Sequence, residues 1–128
     1  MKPFALITLA ALLIMLMTGP LACAVTDEKA VQQTVTGFFT AYEKKEYSRC
    51  LEFLSERLKA SLGEEEIINR LRTAQFLGDF TRLKSMGELK TGSTTATAWV
   101  DLEGFSDIVK TVQVSLVKED GNWKISSY

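Results

Sequence analysis

The apolar residues of this chain change their spacing once. From Asp27 to the region of Gly78 they recur at every third or fourth position, and beyond it at every second. The first spacing is the stripe of an amphipathic helix, the second the alternation of a strand with one buried face. Helices first and strands second cannot be wound alternately into a parallel sheet. The pattern therefore predicts an α+β fold, with N-terminal helices packed on one face of an antiparallel four-stranded sheet.

Val31, Val35, Phe38 and Tyr42 form the first stripe, from Asp27 to about Lys44. Thr26 or Asp27 can cap its start, and Lys44-Lys45 suits the negative end of its dipole. Tyr47, Leu51, Leu54 and Leu58 repeat the spacing, so a second helix is expected from Glu46 to about Ala60, packed on the first as a hairpin. Ser61-Leu62-Gly63-Glu64 has the spacing of a capping box and predicts a third helix to about Thr73. Its triplet Glu64-Glu65-Glu66 is read as partners of the helix dipole, because three consecutive residues point in different directions and do not converge on a metal.

Two runs alternate cleanly. Ala96, Ala98, Val100 and Leu102 share one face of Thr94 to Glu103, with Thr95, Thr97, Trp99 and Asp101 on the other; Val112, Val114 and Leu116 share one face of Ile108 to Lys118. Asp120-Gly121 is a hairpin signal, after which Trp123 to Ser126 returns as a strand. Phe80 to Leu89 is a weaker strand, with a turn at Lys90-Thr91-Gly92. Gly87 and Gly92 read as turns, since no Lys-Ser/Thr follows as a phosphate loop requires.

Residues 1–24 read as a secretion signal, leaving 25–128 as one domain. Met1-Lys2-Pro3 supplies the positive start, and Phe4 to Met17 is apolar apart from Thr8. That run suits a signal-peptide core and is short of the ~20 residues of a membrane span. Thr18-Gly19-Pro20 breaks it, and two processing sites follow. Ala22-Cys23-Ala24 fits ordinary cleavage, which would release a soluble chain starting at Val25. Leu21-Ala22-Cys23 resembles, imperfectly, the lipobox of bacterial lipoproteins, where Cys23 is acylated and becomes the first residue, so that the leader is 1–22. The expected location is thus export: periplasm or membrane-anchored lipoprotein, otherwise secretion.

Either route leaves Cys50 as the sole thiol, so no intramolecular disulfide forms. Its apolar neighbours place it in the core. Beyond the leader, 14 basic groups stand against 16 acidic ones in no basic stripe, which excludes nucleic acid as a partner. The chain has no histidine, and this excludes Ser-His-Asp and Cys-His arrangements and His-based zinc sites. No cofactor is called for.

A first helix ending in Phe38-Phe39-x-x-Tyr42, a Tyr47-x-x-Cys50-Leu51-x-x-Leu54 segment, and a sheet closing on Glu119-Asp120-Gly121-Asn122-Trp123-Lys124-Ile125 together resemble the nuclear transport factor two-like (cystatin-like) superfamily, above all its small exported bacterial members, many of them lipoproteins. The resemblance implies a cone: a curved sheet wraps the helices and leaves a pocket at its open end. Some members of the superfamily are isomerases, dehydratases or cyclases, and others bind ligands or dimerise through the sheet.

Asp79, Asp101, Glu103 and Asp107 are the carboxylates near strand ends, and Tyr42 and Tyr47 the phenols at the helix junction. None carries a catalytic motif. Asp101 and Glu103 are expected to face solvent or a dimer surface. The leading reading is a non-enzymatic envelope domain that binds a small apolar ligand or a protein partner, in the cone or through the sheet, with a homodimer through the sheet as one form. Tyr42, Phe76, Trp99 and Phe105 are the candidate pocket or interface residues. The alternative is a cone-pocket enzyme, isomerase- or dehydratase-like, using a carboxylate whose pKa is raised by burial.

Overall fold

A computed structural model describes residues 26–78 and 81–127. The leader, with Cys23, Ala22 and Ala24, lies outside the described residues, as does Asp79. The helices are α1 (Asp27–Glu43), α2 (Tyr47–Cys50), α3 (Glu56–Leu62) and α4 (Glu64–Phe76), with a 3-10 turn at Leu51–Phe53 after α2. Then come β1 (Arg82–Thr91), β2 (Thr95–Glu103), a 3-10 turn at Phe105–Asp107, β3 (Val109–Glu119) and β4 (Asn122–Ser127). The strands form one antiparallel sheet in sequence order. This is the expected α+β architecture. None of the described helices is long and apolar enough to cross a membrane.

α1 starts where Thr26 accepts a hydrogen bond from the Lys29 amide at 3.3 Å. Its buried stripe is Val31, Val35, Phe38, Phe39, Ala41 and Tyr42. It packs most closely on β1 and β4, the two edges of the sheet, so the sheet closes around the helix. Irregularities of register in β1, at Leu83/Ser85 and Met86/Leu89, supply part of the bend. The inner face is set by strict alternation: Ala98 lies opposite Val114, Val100 opposite Val112, and Ala96 opposite Leu116. The β3–β4 turn places Asp120 at φ 50° and Gly121 at φ 81°, the left-handed pair that a two-residue hairpin demands.

The second helix departs from expectation. In place of one run from Glu46 to about Ala60, the chain is extended at Leu54 (φ −96°, ψ 149°). The cause is tertiary: Leu54 bridges Ile125 in parallel, and the Ser55 amide donates to the Ile125 carbonyl at 2.9 Å. The short segment thereby covers the free edge of β4. The Ser55 side chain accepts from the Leu58 amide at 3.1 Å and caps α3. The expected capping box is also absent, because Ser61 lies within α3 and Gly63, at φ 86°, separates α3 from α4 without a side-chain cap. Glu64, Glu65 and Glu66 do occupy the first turn of α4.

Candidate functional site

Aromatic side chains fill the space between helices and sheet. Phe38 meets Phe39 edge to face at 5.1 Å and Tyr42 at 5.9 Å, above Ala98, Val100, Val114 and Ile125, all fully buried. Tyr42 is 3% exposed and belongs to this core. Its hydroxyl donates to the Leu71 carbonyl at 2.6 Å, and its own carbonyl accepts from Gln75 Nε2 at 2.9 Å. The Tyr47 hydroxyl donates to Gln75 Oε1, and the Arg72 guanidinium lies 5.5 Å from the Tyr47 ring. Both phenols thus join α1 and α2 to α4, each with its proton committed to a protein acceptor.

The described carboxylates lie at the surface. Asp101, on the outer face of β2, accepts from Thr111 Oγ1 at 2.7 Å and Ser85 Oγ at 2.9 Å, one hydroxyl from each neighbouring strand. These bonds favour the ionised form and hold its carboxyl below the usual range. Glu103 pairs with Arg82 at 2.9 Å, and Asp107 is exposed in the β2–β3 connection. Among the described residues no three His, Cys, Asp or Glu side chains gather as a metal site would require. Cys50 is fully buried as expected, and burial pushes its thiol up to about 11.

The exposed apolar side chains concentrate at one end. Phe76 is 85% exposed and Leu77 follows it at the end of α4; Phe105 is 68% exposed, with Ile108 and Val109 beyond it, also exposed. Gly78 joins the two groups. At φ 73° it presents a bare Cα to the Phe105 ring, and a Cβ there would lie 1.7 Å from Phe105 Cε2. A cavity of about 220 Å³ opens beneath, lined by Glu43, Gln75, Gly78, Arg82, Glu103 and Phe105, among others. Trp99 stands apart, on the outer sheet face opposite Gln113 and 38% exposed. Of the four candidates, then, Phe105 packs on Gly78, two residues beyond Phe76, while Trp99 and Tyr42 lie elsewhere.

A second concavity escaped the sequence reading. α3, α4 and the end of β4 enclose a groove of about 270 Å³, lined by Leu54, Leu58, Leu62, Ile67, Arg70 and Ser127. It lies where α3 gives way to α4 at Gly63; the sequence places a helix boundary there but carries no sign of a groove.

No family model matches the chain, and no curated protein matches it in sequence. Solved structures do. An NTF-2-like protein of unknown function from Shewanella oneidensis MR-1 is similar with a TM-score of 0.60 at 17% identity, covering 79% of this chain and 95% of that one. A putative NTF2-like transpeptidase from Campylobacter jejuni gives 0.50 at 15%, covering 76% and 98%. A SEC-C motif containing protein from Rhodopseudomonas palustris gives 0.53 at 14%, covering 70% and 69%. At these identities the likeness is one of fold, and it bears out the resemblance read from the motifs.

Proposed function

We propose that this NTF2-like domain is a non-enzymatic binding module of the bacterial cell envelope, exported by its leader, that engages a protein through the apolar end formed by Phe76, Leu77, Phe105 and Ile108. The observation that carries this reading is that Phe76 and Leu77 stand exposed just before Gly78, onto which the exposed Phe105 ring packs from a separate segment, with exposed Ile108 three residues beyond it. Contiguous apolar surface of this kind marks interaction sites.

The direction of the molecule favours a protein over a membrane as partner. α1 has 17 residues and so runs for about 25 Å. Asp27 at its start binds Lys118 and Trp123, whereas Glu43 at its end lines the cavity under Phe105. An anchor on Cys23 would attach at the first of these ends, and the apolar cluster would face away from the lipid.

The enzymatic alternative finds little support. It needs a carboxyl kept protonated by burial, yet Asp27 and Asp101 are both shifted down, the first exposed and the second half-buried on the outer sheet face. A transpeptidase, as the Campylobacter protein is named, needs an activated nucleophile. Cys50 is sealed in the core with its thiol pushed up, the reverse of activation.

The test is a photoreactive amino acid placed at position 76, 105 or, as a control on the exposed face of α1, 32. Irradiated cells are expected to yield a discrete protein adduct from positions 76 and 105 and none from 32. Adducts of equal yield at all three, or none, would overturn the proposal.

A further inference from the structure

We infer that the groove between α3 and α4 is a binding site for a single-chain aliphatic monocarboxylate, a fatty acid of medium length. This site lies apart from the Phe76–Phe105 end and stands independently of the function proposed there.

The lining has the chemistry of such a ligand. Leu54, Leu58, Leu62 and Ile67 form an aliphatic wall, and the described lining residues include no aromatic ring and no carboxylate. Leu54 and Ile67 are buried at its floor; Leu58 and Leu62 are half-buried at its sides, apolar surface that the fold leaves partly wet. A saturated chain would take that surface out of water at about 25 cal/mol per Å². At ~30 Å³ for a water-sized group, a groove of about 270 Å³ holds about nine methylenes.

The two polar lining residues set the head group. Among the described lining residues Arg70 is the only charged member and Ser127 the only hydroxyl, so these residues offer one fixed cation and one small donor to one end of an apolar chain. Arg70 Nε is bonded to Glu66 Oε1 at 3.0 Å, which leaves the two terminal nitrogens of the guanidinium for a ligand. That pair is more than half exposed on both sides and worth little, so it orients the guanidinium without neutralising it. A carboxylate suits the remaining fork in size and charge. A cationic or purely apolar chain would leave it unused.

The experiment is an amide-resolved NMR titration of the folded domain with sodium decanoate below its micellar concentration. Decanol and decyltrimethylammonium serve as chain-matched probes. Saturable shifts are expected at Leu54, Leu58, Leu62, Ile67, Arg70 and Ser127. Arg70→Gln, at an exposed position that leaves the fold intact, should weaken decanoate roughly tenfold. Decanol should bind wild type and Arg70→Gln alike. Leu62→Phe, which fills the groove, should abolish binding while the thermal midpoint is retained. The inference fails if decanoate gives no saturable shift, if shifts gather at Phe76 and Phe105 instead, or if Arg70→Gln binds decanoate as wild type does. It fails too if the groove amides respond to protein concentration and not to decanoate, since the occupant would then be a second copy of the chain.

Discussion

The Trp123 indole N–H donates to Asp27 Oδ1 across 3.2 Å, fastening the last strand to the first turn of the first helix. Lys118 Nζ reaches the same oxygen at 3.1 Å and lies 5.8 Å from the Trp123 ring, so one carboxylate gathers a donor from each strand of the β3–β4 hairpin. The Trp123 bond, then Lys118, holds the Asp27 carboxyl below its usual value of 3.8. A depressed carboxyl stabilises the fold above its unfolded pKa, and that contribution disappears as pH falls through the folded one. Asp27→Asn should therefore melt below wild type at neutral pH, with the gap narrowing below about pH 4. Thermal midpoints of the two proteins across that range check this, and a gap independent of pH would refute the assignment.

Cys50 titrates in the opposite sense. Burial raises its thiol from 9.0 to about 11, so the stabilisation is complete below the unfolded value and is lost as pH rises between the two. In a chain carrying Cys23→Ser, a thiol reagent at about pH 8 should label Cys50 only in denaturant. Cys50→Ser should cost about 1–3 kcal/mol, because the Phe38 carbonyl, 3.8 Å from the sulfur, is too distant for a hydroxyl to reach. Labelling of the native protein at the rate of a free thiol would contradict the burial.

The Tyr42 hydroxyl bond to Leu71 predicts a modest effect on stability. Tyr42→Phe keeps the ring in its edge-to-face contact with Phe38 and removes one hydrogen bond between α1 and α4. A loss of about 1 kcal/mol is expected by denaturant unfolding. Gln75→Ala should cost more, since Gln75 serves both the Tyr42 carbonyl and the Tyr47 hydroxyl. If Tyr42→Phe instead abolished binding at full stability, the phenol would have a role in the site.

How far the fold was legible follows from which forces are local. The stripe of α1 and the alternation of β2 and β3 are patterns in adjacent residues, and Asp120-Gly121 carries its backbone preference in its own side chains, so all of these were readable. The break at Leu54 was not. Leu51, Leu54 and Leu58 keep helical spacing through it, and all three do face inward. What interrupts the helix is the pairing with Ile125, a partner far along the chain. Site residues fared similarly. Residue type and place offered Tyr42, Phe76, Trp99 and Phe105 alike, and only tertiary packing separates Tyr42, enclosed in the core, from Phe76 and Phe105, which stand exposed. The groove at Leu58 and Leu62 depends on how α3 and α4 pack against the end of β4, which the helical spacing of neither segment carries.

Ser55 offers a direct test of that tertiary cause. It is buried, its amide binds β4 and its hydroxyl caps α3. Ser55→Ala removes the cap alone and should cost about 1–2 kcal/mol. Ser55→Pro deletes the amide bond to Ile125 as well and should cost distinctly more. Equal losses, measured by chemical unfolding, would mean that the bridge to β4 contributes nothing and that the break at Leu54 has another origin.

Gly78 and Gly63 separate backbone strain from surface geometry. Both have positive φ, so alanine should cost each about 1 kcal/mol. A Cβ on Gly63 meets nothing within 4 Å, whereas one on Gly78 would occupy the place of the Phe105 ring. Because that ring is largely exposed, it can swing aside, and Gly78→Ala should melt close to Gly63→Ala. The consequence appears in binding: with Phe105 displaced from the Phe76-Leu77 turn, the apolar cluster is divided. Photo-adducts from position 76 should therefore fall sharply in Gly78→Ala and persist in Gly63→Ala. If the yields are equal, the ring's seat on Gly78 has no part in recognition, and the partner engages the Phe76-Leu77 turn alone.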